Sequence, residues 1–275
     1  MSLTAGLFNS GPFEGGLFNG GLFENASAPP TAWYLTVVTT AASQDYTVDI
    51  YSGTGVDIYI DWGDTNSNAY TTTGQKTHTY ASAGTYTLKI SGGFASVGNI
   101  RLGSNAGNSN RLKAVSPIPQ LPGWTNLSYA LKGCSGLTGS IPTDLLRYVT
   151  QCTNLGSFMY GCSGLTGSIP TDLLRYVTQC TSLGAFMYGC SGLYNVVPED
   201  LLRYVTNCTD FTGFAAGITW TTASYSALII SMNAYLTKTG VPFHGGYSKY
   251  DTSAVAAHDN LTAVKTWTIT DGGLE

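Results

Sequence analysis

Residues 133–160 read GCSGLTGSIPTDLLRYVTQCTNLGSFMY, and residues 161–188 repeat that stretch almost letter for letter. Residues 189–216 follow as a third copy, GCSGLYNVVPEDLLRYVTNCTDFTGFAA, so the period is 28 residues with no insertion. A weaker copy precedes them and ends in TNLSYALK (125–132). A fixed period of this length is typical of repeat proteins whose units stack side by side. The sequence therefore predicts a solenoid.

Each unit is predicted to hold a short strand followed by tight turns. GLTGSI is expected to be the strand, with Leu137 and Ile141 as its apolar anchors. Pro142 ends this strand and opens a helical turn over PTDLLRYV, because proline suits the first helical position. Thr153 is expected to cap the next turn, TNLGSFMY. Stacked units would place equivalent residues about 4.8 Å apart, the spacing of neighbouring strands.

The six cysteines all lie in these units, at two equivalent positions of the repeat. An even number of cysteines is compatible with disulfides. However, equivalent cysteines on successive units would form two ladders of small buried side chains. Zinc is disfavoured because the sequence has no CxxC pair with a nearby histidine. We expect free, buried thiols at Cys134, Cys162, Cys190, Cys152, Cys180 and Cys208.

The step FMYGCSGLT, which joins one unit to the next at residues 158–166, is the most specific part of the repeat. It resembles the leucine-rich repeats of bacterial surface proteins, the BspA-like type. The resemblance covers roughly residues 120–216. It implies a leucine-rich-repeat solenoid over residues 121–216.

The period ends after residue 216, and a different pattern follows. SYSALIISMNAYL (224–236) has one apolar helical face, with Gly240 as the expected terminator. A second predicted helix, SAVAAHDNLTAV (253–264), leads into an alternating strand, TWTIT. The stretch GGYSKYDTSAVAAHDNLTAVKTWTITDGG resembles the C-terminal caps of such arrays, including many in phage and prophage proteins. We therefore assign residues 217–275 to a cap.

Residues 33–92 contain short alternating segments separated by Gly, Asn and Thr turns, a pattern typical of a β-sandwich. Two stretches in this region, WGD (62–64) and HTYASAGTYT (78–87), resemble the PKD-type immunoglobulin-like domains. The resemblance implies a PKD-like sandwich of antiparallel strands. Residues 93–120 are expected to be a connector between this sandwich and the solenoid.

The WGD turn carries more specific expectations. The resemblance implies that Trp62 packs in the core, that Gly63 permits the turn, and that Asp64 accepts hydrogen bonds from nearby backbone N–H groups. Thr65 stands where the family usually has glycine, so a different turn is expected there. Asp61 and Asp64 could together bind Ca²⁺, but one carboxylate pair falls short of the about six to eight oxygens that calcium prefers.

Residues 6–25 read GLFNSGPFEGGLFNGGLFEN, in which glycine and phenylalanine each recur every five residues. So short a glycine-rich segment cannot enclose its phenylalanines, although burying each contributes about 1.5–3 kcal/mol. We predict an extended docking tail and linker over residues 1–32, with residues 1–27 binding a capsid or tail protein. The alternatives are packing on the protein's own domains and a single pentapeptide-repeat coil, which Pro12 would interrupt. The expected docking residues are Phe8, Phe13, Phe18, Phe23, Leu7, Leu17 and Leu22.

Composition argues against several classes of function. A net charge of −4 without any cluster of Lys and Arg predicts no nucleic-acid partner. No apolar run reaches the about 18 residues of a membrane span, so no membrane insertion is expected. The motifs of serine hydrolases, zinc proteases and nucleotide-binding enzymes do not occur, which predicts a protein that is not an enzyme and has no cofactor or metal. His78 is expected to be structural.

A polar strip repeats with the units, because each PTDLLRYV or PEDLLRYV turn has an Asp, an Arg three residues later and then a Tyr. One interpretation is a solvent-exposed ladder of salt bridges that starts from Asp144, Asp172 and Asp200. The other is a ligand-binding strip, since Tyr and Arg are enriched in interaction surfaces and a row of one motif suits a repetitive ligand. The strip residues are Arg147, Tyr148, Arg175, Tyr176, Arg203 and Tyr204.

These patterns predict a mainly β protein with short helices, in the order docking tail, immunoglobulin-like sandwich, solenoid and helical cap. The N-terminus has no basic residue before its apolar residues, so we expect synthesis in the host cytoplasm without a signal peptide. With the tail and the two resemblances, this predicts a phage virion structural protein: a capsid decoration, head fibre, or tail fibre or adaptor protein. Its outer domains would meet a host cell-surface glycan or protein. The alternative is a bacterial cell-surface leucine-rich-repeat adhesin, which would need an export route.

Overall fold

The computed structural model describes residues 30–103 and 108–275 of the chain. Over these residues the protein is mainly β, which confirms the predicted fold class at that level. It has ten strands and two short α-helices, the second of which continues into a π-helical turn.

Eight of the strands lie in the first part of the described chain: β1 (Trp33–Thr39), β2 (Gln44–Ser52), β3 (Asp57–Asp61), β4 (Ser67–Tyr70), β5 (Gly74–Tyr80), β6 (Gly84–Gly93), β7 (Asn99–Arg101) and β8 (Leu112–Val115). They form two antiparallel sheets, with the orders β4-β3-β6-β1-β8 and β5-β2-β7. Alternate side chains of β1 are buried, as expected of a strand with one face on a core. Tyr80 of β5 stacks on Tyr86 of β6 at 4.0 Å between ring centroids, so side chains of the two sheets meet.

Residues 93–120, expected to be a connector, supply one strand to each sheet. β7 pairs with β2, and β8 pairs with β1. Between these strands the buried side chain of Asn108 donates to the Thr47 carbonyl (2.6 Å) and accepts from the Thr47 N–H (3.0 Å). The segment is therefore held to β2 by side-chain as well as backbone hydrogen bonds.

The 28-residue units, which are described in full, contain turns and isolated bridges in place of the predicted strand. A single parallel bridge, between Gly139 and Leu165, joins the first GLTGSI stretch (136–141) to the second (164–169). Pro142 does open a tight turn, because the Leu145 N–H donates to the Pro142 carbonyl at 3.1 Å.

The second turn of each unit is capped by a different residue from the one predicted. The N–H and hydroxyl of Thr153 both donate to the Thr125 carbonyl of the preceding unit, at 2.8 and 3.1 Å. The neighbouring Asn154 caps the turn, since its side chain accepts a hydrogen bond from the Gly156 N–H at 2.8 Å. Thr153 therefore links units instead of capping the turn that follows it.

Successive units are joined by a regular alternation of hydrogen bonds. The N–H of Leu155 donates to the Ser182 carbonyl of the next unit at 3.0 Å, whereas the N–H of Phe158 donates to the Leu155 carbonyl three residues back at 3.1 Å. The same alternation recurs one unit earlier, from Leu127, and one unit later, from Leu183. The backbone of each unit thus forms hydrogen bonds both within its own turn and to the next unit. The result is a parallel ladder without continuous strands.

A left-handed backbone conformation at one position of each unit accompanies this alternation. Its residues have φ between 52° and 66°. Such a conformation is compatible with neither a regular helix nor a regular strand. The residues are Tyr129, Ser157, Ala185 and Gly213.

The cap continues the ladder with two short strands, β9 (Pro242–His244) and β10 (Thr268–Thr270). The N–H groups of Phe211 and Ala215 donate to the Pro242 and His244 carbonyls, so β9 takes the place of a further unit. β10 pairs with β9 in parallel. The predicted strand in TWTIT is confirmed.

Two helices complete the cap, as the sequence predicts: α1 (Thr222–Tyr235) and α2 (Val255–Asp259), which continues into the π-helical turn Asn260–Val264. The first ends before Gly240, which was expected to terminate it. Lys265 explains this end, since its Nζ donates to the Asn233 and Leu236 carbonyls at 2.5 and 2.8 Å. Such a lysine satisfies carbonyls that a helix C-terminus leaves free.

All six cysteines are free thiols and buried, which confirms that prediction. Burial raises the pKa of the Cys134, Cys152, Cys190 and Cys208 thiols to about 12. It raises the pKa of Cys180 to about 11, and that of Cys162 in the same direction. These thiols therefore stay protonated at neutral pH and behave as small apolar core residues.

Candidate functional site

The predicted docking residues lie outside the part of the chain that the structure describes. That prediction concerns the segment 1–27 and stays a prediction. The residues in question are Phe8, Phe13, Phe18, Phe23, Leu7, Leu17 and Leu22.

The predicted ligand strip forms one continuous column of alternating cations and rings, which we call the Arg–Tyr column. The guanidinium of Arg147 lies 5.7 Å from the ring centroid of Tyr148 and 5.9 Å from that of Tyr176 in the next unit. Arg175 lies between Tyr176 and Tyr204 in the same way, at 5.8 and 5.6 Å. Cations at such distances are attracted to the ring faces. Each arginine therefore bridges two units.

The Arg–Tyr column ends on the cap. Arg203 lies 5.7 Å from the centroid of Tyr204 and 4.2 Å from that of Tyr235, in the last turn of α1. The side chain of Tyr235 stays 40% exposed. The helix thus supplies the ring that a further unit would have supplied.

Salt bridges accompany the first and last arginines of this column, as the salt-bridge interpretation predicts, whereas ligand binding by the strip stays a prediction. Arg147 pairs with Asp144 at 3.5 Å and Arg203 pairs with Asp200 at 3.2 Å. The side chains of both pairs are about a quarter or more exposed. Exposed pairs of this kind contribute about 0–1 kcal/mol to stability. They orient the guanidinium groups more than they stabilise the fold.

A second column, which the sequence analysis missed, crosses from the sheets into the units; we call it the Tyr–cation column. The Arg101 guanidinium lies 3.1 Å from the ring centroid of Tyr51 and 4.7 Å from that of Tyr129. Lys132 Nζ lies 5.0 Å from the rings of both Tyr129 and Tyr160. The ring of Tyr160 stacks on that of Tyr188 at 4.7 Å, with 4° between the planes.

Part of the Tyr–cation column could have been predicted from the sequence. Lys132, Tyr160 and Tyr188 are 28 residues apart, so the repeat alone places them in one row. Tyr51 and Arg101 lie outside the repeat, and no periodic signal connects them to that row. They join it because β2 pairs with β7, which lies beside the first unit through the Leu102 N–H and Ala130 carbonyl (2.8 Å).

The WGD turn is as the resemblance implies. Trp62 is fully buried, and the Tyr80 hydroxyl donates to its carbonyl at 2.9 Å. Gly63 has φ of +82°, and a Cβ there would lie 2.6 Å from the Thr87 carbonyl oxygen. Thr65 also adopts a left-handed conformation, with φ of 77°. The turn therefore keeps the backbone that glycine would favour, and the different turn expected at Thr65 is not found.

The carboxylates beside this turn are engaged within the protein. Asp61 Oδ1 accepts a hydrogen bond from the Gly63 N–H at 2.9 Å. Asp64 Oδ2 lies 2.7 Å from His78 Nε2, and its Oδ1 accepts from the Asn66 N–H at 3.3 Å. Burial acts to raise the pKa of Asp64, but the hydrogen bonds from His78 and Asn66 outweigh it and lower that pKa. His78, expected to be structural, is the partner that the sequence did not reveal.

A second cluster of ionisable groups joins α1 to the end of the chain. The buried Tyr225 hydroxyl donates to Asp271 Oδ2 at 2.8 Å, and His258 Nε2 lies 3.9 Å from the same oxygen. Tyr250 stacks on the His258 ring at 4.5 Å. Burial, followed by the charge of Asp271, raises the pKa of Tyr225. A buried, protonated phenol that donates to a carboxylate fastens the cap and offers no nucleophile.

Within residues 30–103 and 108–275, no group of three or more His, Cys, Asp or Glu side chains could hold a metal ion. None of the helices described here is both long and apolar enough to cross a membrane. Comparisons of the chain with protein-family models, with curated proteins and with solved structures found no match. The geometry of the two columns is therefore the main evidence on function.

Proposed function

We propose that this chain is a phage virion structural protein: a capsid decoration, head fibre, or tail fibre or adaptor protein. Residues 1–27 anchor it to a capsid or tail protein, and the remainder displays a binding surface toward the host cell. In this proposal the protein is not an enzyme and works without a cofactor.

The finer fold assignment belongs to the same proposal. The two-sheet part is a PKD-like, immunoglobulin-like sandwich, and the 28-residue units are BspA-like leucine-rich repeats. The buried Trp62 and the left-handed turn at Gly63 support the first assignment. The parallel bridges from Asn126 through Asn154 and Ser182 to Asp210, one per unit, support the second.

The observation that carries the proposal is the regular display of the Arg–Tyr column. Arg147, Arg175 and Arg203 repeat with each unit on a hydrogen-bonded frame that runs from β7 to β10. Tyr and Arg are the side chains that interaction surfaces favour. A rigid row of identical groups suits binding to a repetitive surface, whereas catalysis would require a few different groups converging on one point.

The decisive experiment measures binding of the wild type and of a deletion of residues 1–27 to phage particles that lack this protein. We expect the deletion to abolish binding while circular dichroism and melting temperature show that the remainder stays folded. A matched variant replaces Phe8, Phe13, Phe18 and Phe23 with Ser at unchanged length, and should fail in the same way.

Two outcomes would contradict the proposal. If the truncated protein still binds particles, the tail is not the anchor. If purified virions lack the protein and it is found on the bacterial surface, the adhesin is the correct assignment.

A further inference from the structure

The Tyr–cation column differs from the Arg–Tyr column because its cations form no salt bridge among the described residues. Among the described residues, no Asp or Glu oxygen lies within 4.0 Å of a nitrogen of Arg101 or Lys132. The carboxylate opposite Arg101 in the β2–β7 pairing is Asp49, which is buried. Arg101 Nε, although buried, has no hydrogen-bond partner in the structure. Both cations are therefore held by rings and lie beyond ion-pair distance of any carboxylate described here, although the charge of Arg101 opposes the rise that burial causes in the pKa of Asp49.

The tyrosines of this column present their polar ends to solvent. Tyr51, Tyr129 and Tyr188 are 53%, 37% and 41% exposed. In the described part of the chain, their hydroxyls and that of Tyr160 form no hydrogen bond, whereas the hydroxyls of Tyr46, Tyr80, Tyr86 and Tyr225 all do. The surface thus offers a row of free hydroxyls and two cations, in a protein whose net charge is −4.

The ring of Tyr188 contacts another ring on one side only, where it stacks on Tyr160. One repeat later, the position equivalent to Tyr188 is Ala216, which has no ring to stack on that of Tyr188. The two rings before it each have a partner on that side. The ring of Tyr129 contacts Lys132, and the ring of Tyr160 contacts both Lys132 and Tyr188. The exposed ring of Tyr188 thus ends the row without a further ring or cation stacked on it.

This combination selects among polymeric ligands. Single-stranded nucleic acid binds by stacking successive bases on successive rings, whereas the rings of Tyr129 and Tyr160 each already contact two partners within the protein. A linear polysaccharide needs one face for one sugar ring and hydroxyl partners along the rest of its length. Carboxylate groups on the sugars would complement Arg101 and Lys132.

We propose that the Tyr–cation column binds a linear acidic polysaccharide, with one sugar ring on Tyr188 and sugar carboxylates at Lys132 and Arg101. The inference deepens the proposed function, because it names the chemistry of the host surface that the displayed domains meet. It adds to the Arg–Tyr column a second binding surface, which runs across the junction of the sheets and the first unit.

The test titrates the full-length protein at low ionic strength with hyaluronate as the acidic polysaccharide, dextran as the neutral one and oligo(dT) as the nucleic acid. We expect binding to hyaluronate alone, weakening as salt increases. Lys132→Gln and Tyr188→Ala should each weaken it about tenfold. Both side chains are exposed, and melting temperatures verify that the variants fold.

Two matched controls separate the site from general effects. Lys238→Gln removes the same charge outside both columns, and Tyr194→Ala removes another exposed tyrosine, which is 55% exposed. Both should bind hyaluronate within about twofold of wild type. Equal losses in the controls, equal binding of dextran, tighter binding of oligo(dT), or no binding of hyaluronate by wild type would each overturn the inference. None of these results affects particle binding through residues 1–27, so the two proposals fail separately.

Discussion

Ala185 and Gly213 lie one repeat apart and share a left-handed backbone conformation, with φ of 52° and 66°. That conformation costs an alanine about 1–2 kcal/mol, because its Cβ crowds the following carbonyl oxygen. Ala185→Gly should therefore raise the free energy of unfolding by about 0.5–1 kcal/mol, after the loss of backbone entropy is deducted. Urea unfolding followed by circular dichroism measures this change.

Ala216→Gly is the matched control in the same segment. Ala216 is buried and does not share the left-handed conformation. Its replacement should lower the free energy of unfolding by about 0.5–1 kcal/mol. If both variants were destabilised, the left-handed position would not be a source of strain.

Thr65 is a second site where glycine should stabilise the protein. It is exposed, β-branched and left-handed, with φ of 77°. Thr65→Gly is expected to raise the melting temperature, with a gain of about 1 kcal/mol in the free energy of unfolding. Gly63→Ala, two residues earlier, should do the opposite, because its Cβ would lie 2.6 Å from the Thr87 carbonyl oxygen. A loss of stability in Thr65→Gly would contradict this account of the turn.

The sequence predicted what a period or a local motif determines. The 28-residue period places the cysteines in buried rows and the Arg–Tyr column in one line, because equivalent residues must be neighbours when units stack. The WGD turn could also be predicted, since its backbone depends on residues adjacent in the chain.

The sequence could not predict features that depend on distant pairings. β7 and β8 have three and four residues, too short for a periodic signal, and their places depend on β2 and β1. The strand predicted in each unit was wrong because its fourth residue is left-handed: Gly139, Gly167 and Asn195 have φ of 80°, 88° and 86°. The left-handed position of the second turn could not be predicted either, because no glycine marks it at Tyr129 and Ser157. His78 is likewise 14 residues from Asp64, and only the fold brings the two together.

Asn108 should be essential for the stability of the sheets. Its buried amide satisfies both the N–H and the carbonyl of Thr47. Asn108→Ala leaves these backbone groups without partners in the interior, at a cost of about 2–4 kcal/mol. Guanidinium unfolding measures the loss. The exposed Asn110→Ala, two residues later, should change stability by no more than about 0.5 kcal/mol, and equal effects from both would rule out a special role for Asn108.

The pair formed by Asp64 and His78 predicts how stability depends on pH. Because the hydrogen bonds from His78 and Asn66 lower the pKa of Asp64 in spite of its burial, the folded protein holds this carboxyl ionised more strongly than the unfolded chain does. The resulting stabilisation is fully present above the ordinary carboxyl pKa of about 3.9, and it is lost as pH falls through the lower folded value. Asp64→Asn keeps the shape and removes the charge. Wild type should therefore be more stable than this variant at about pH 6, and the difference should shrink by about pH 2.5.

Urea unfolding of both proteins at the two pH values measures that difference. The exposed Asp57→Asn is the control, and it should differ little from wild type at either pH. A difference between wild type and Asp64→Asn that grew on acidification would show that the carboxylate is destabilised in the folded protein, and that burial outweighs its hydrogen bonds.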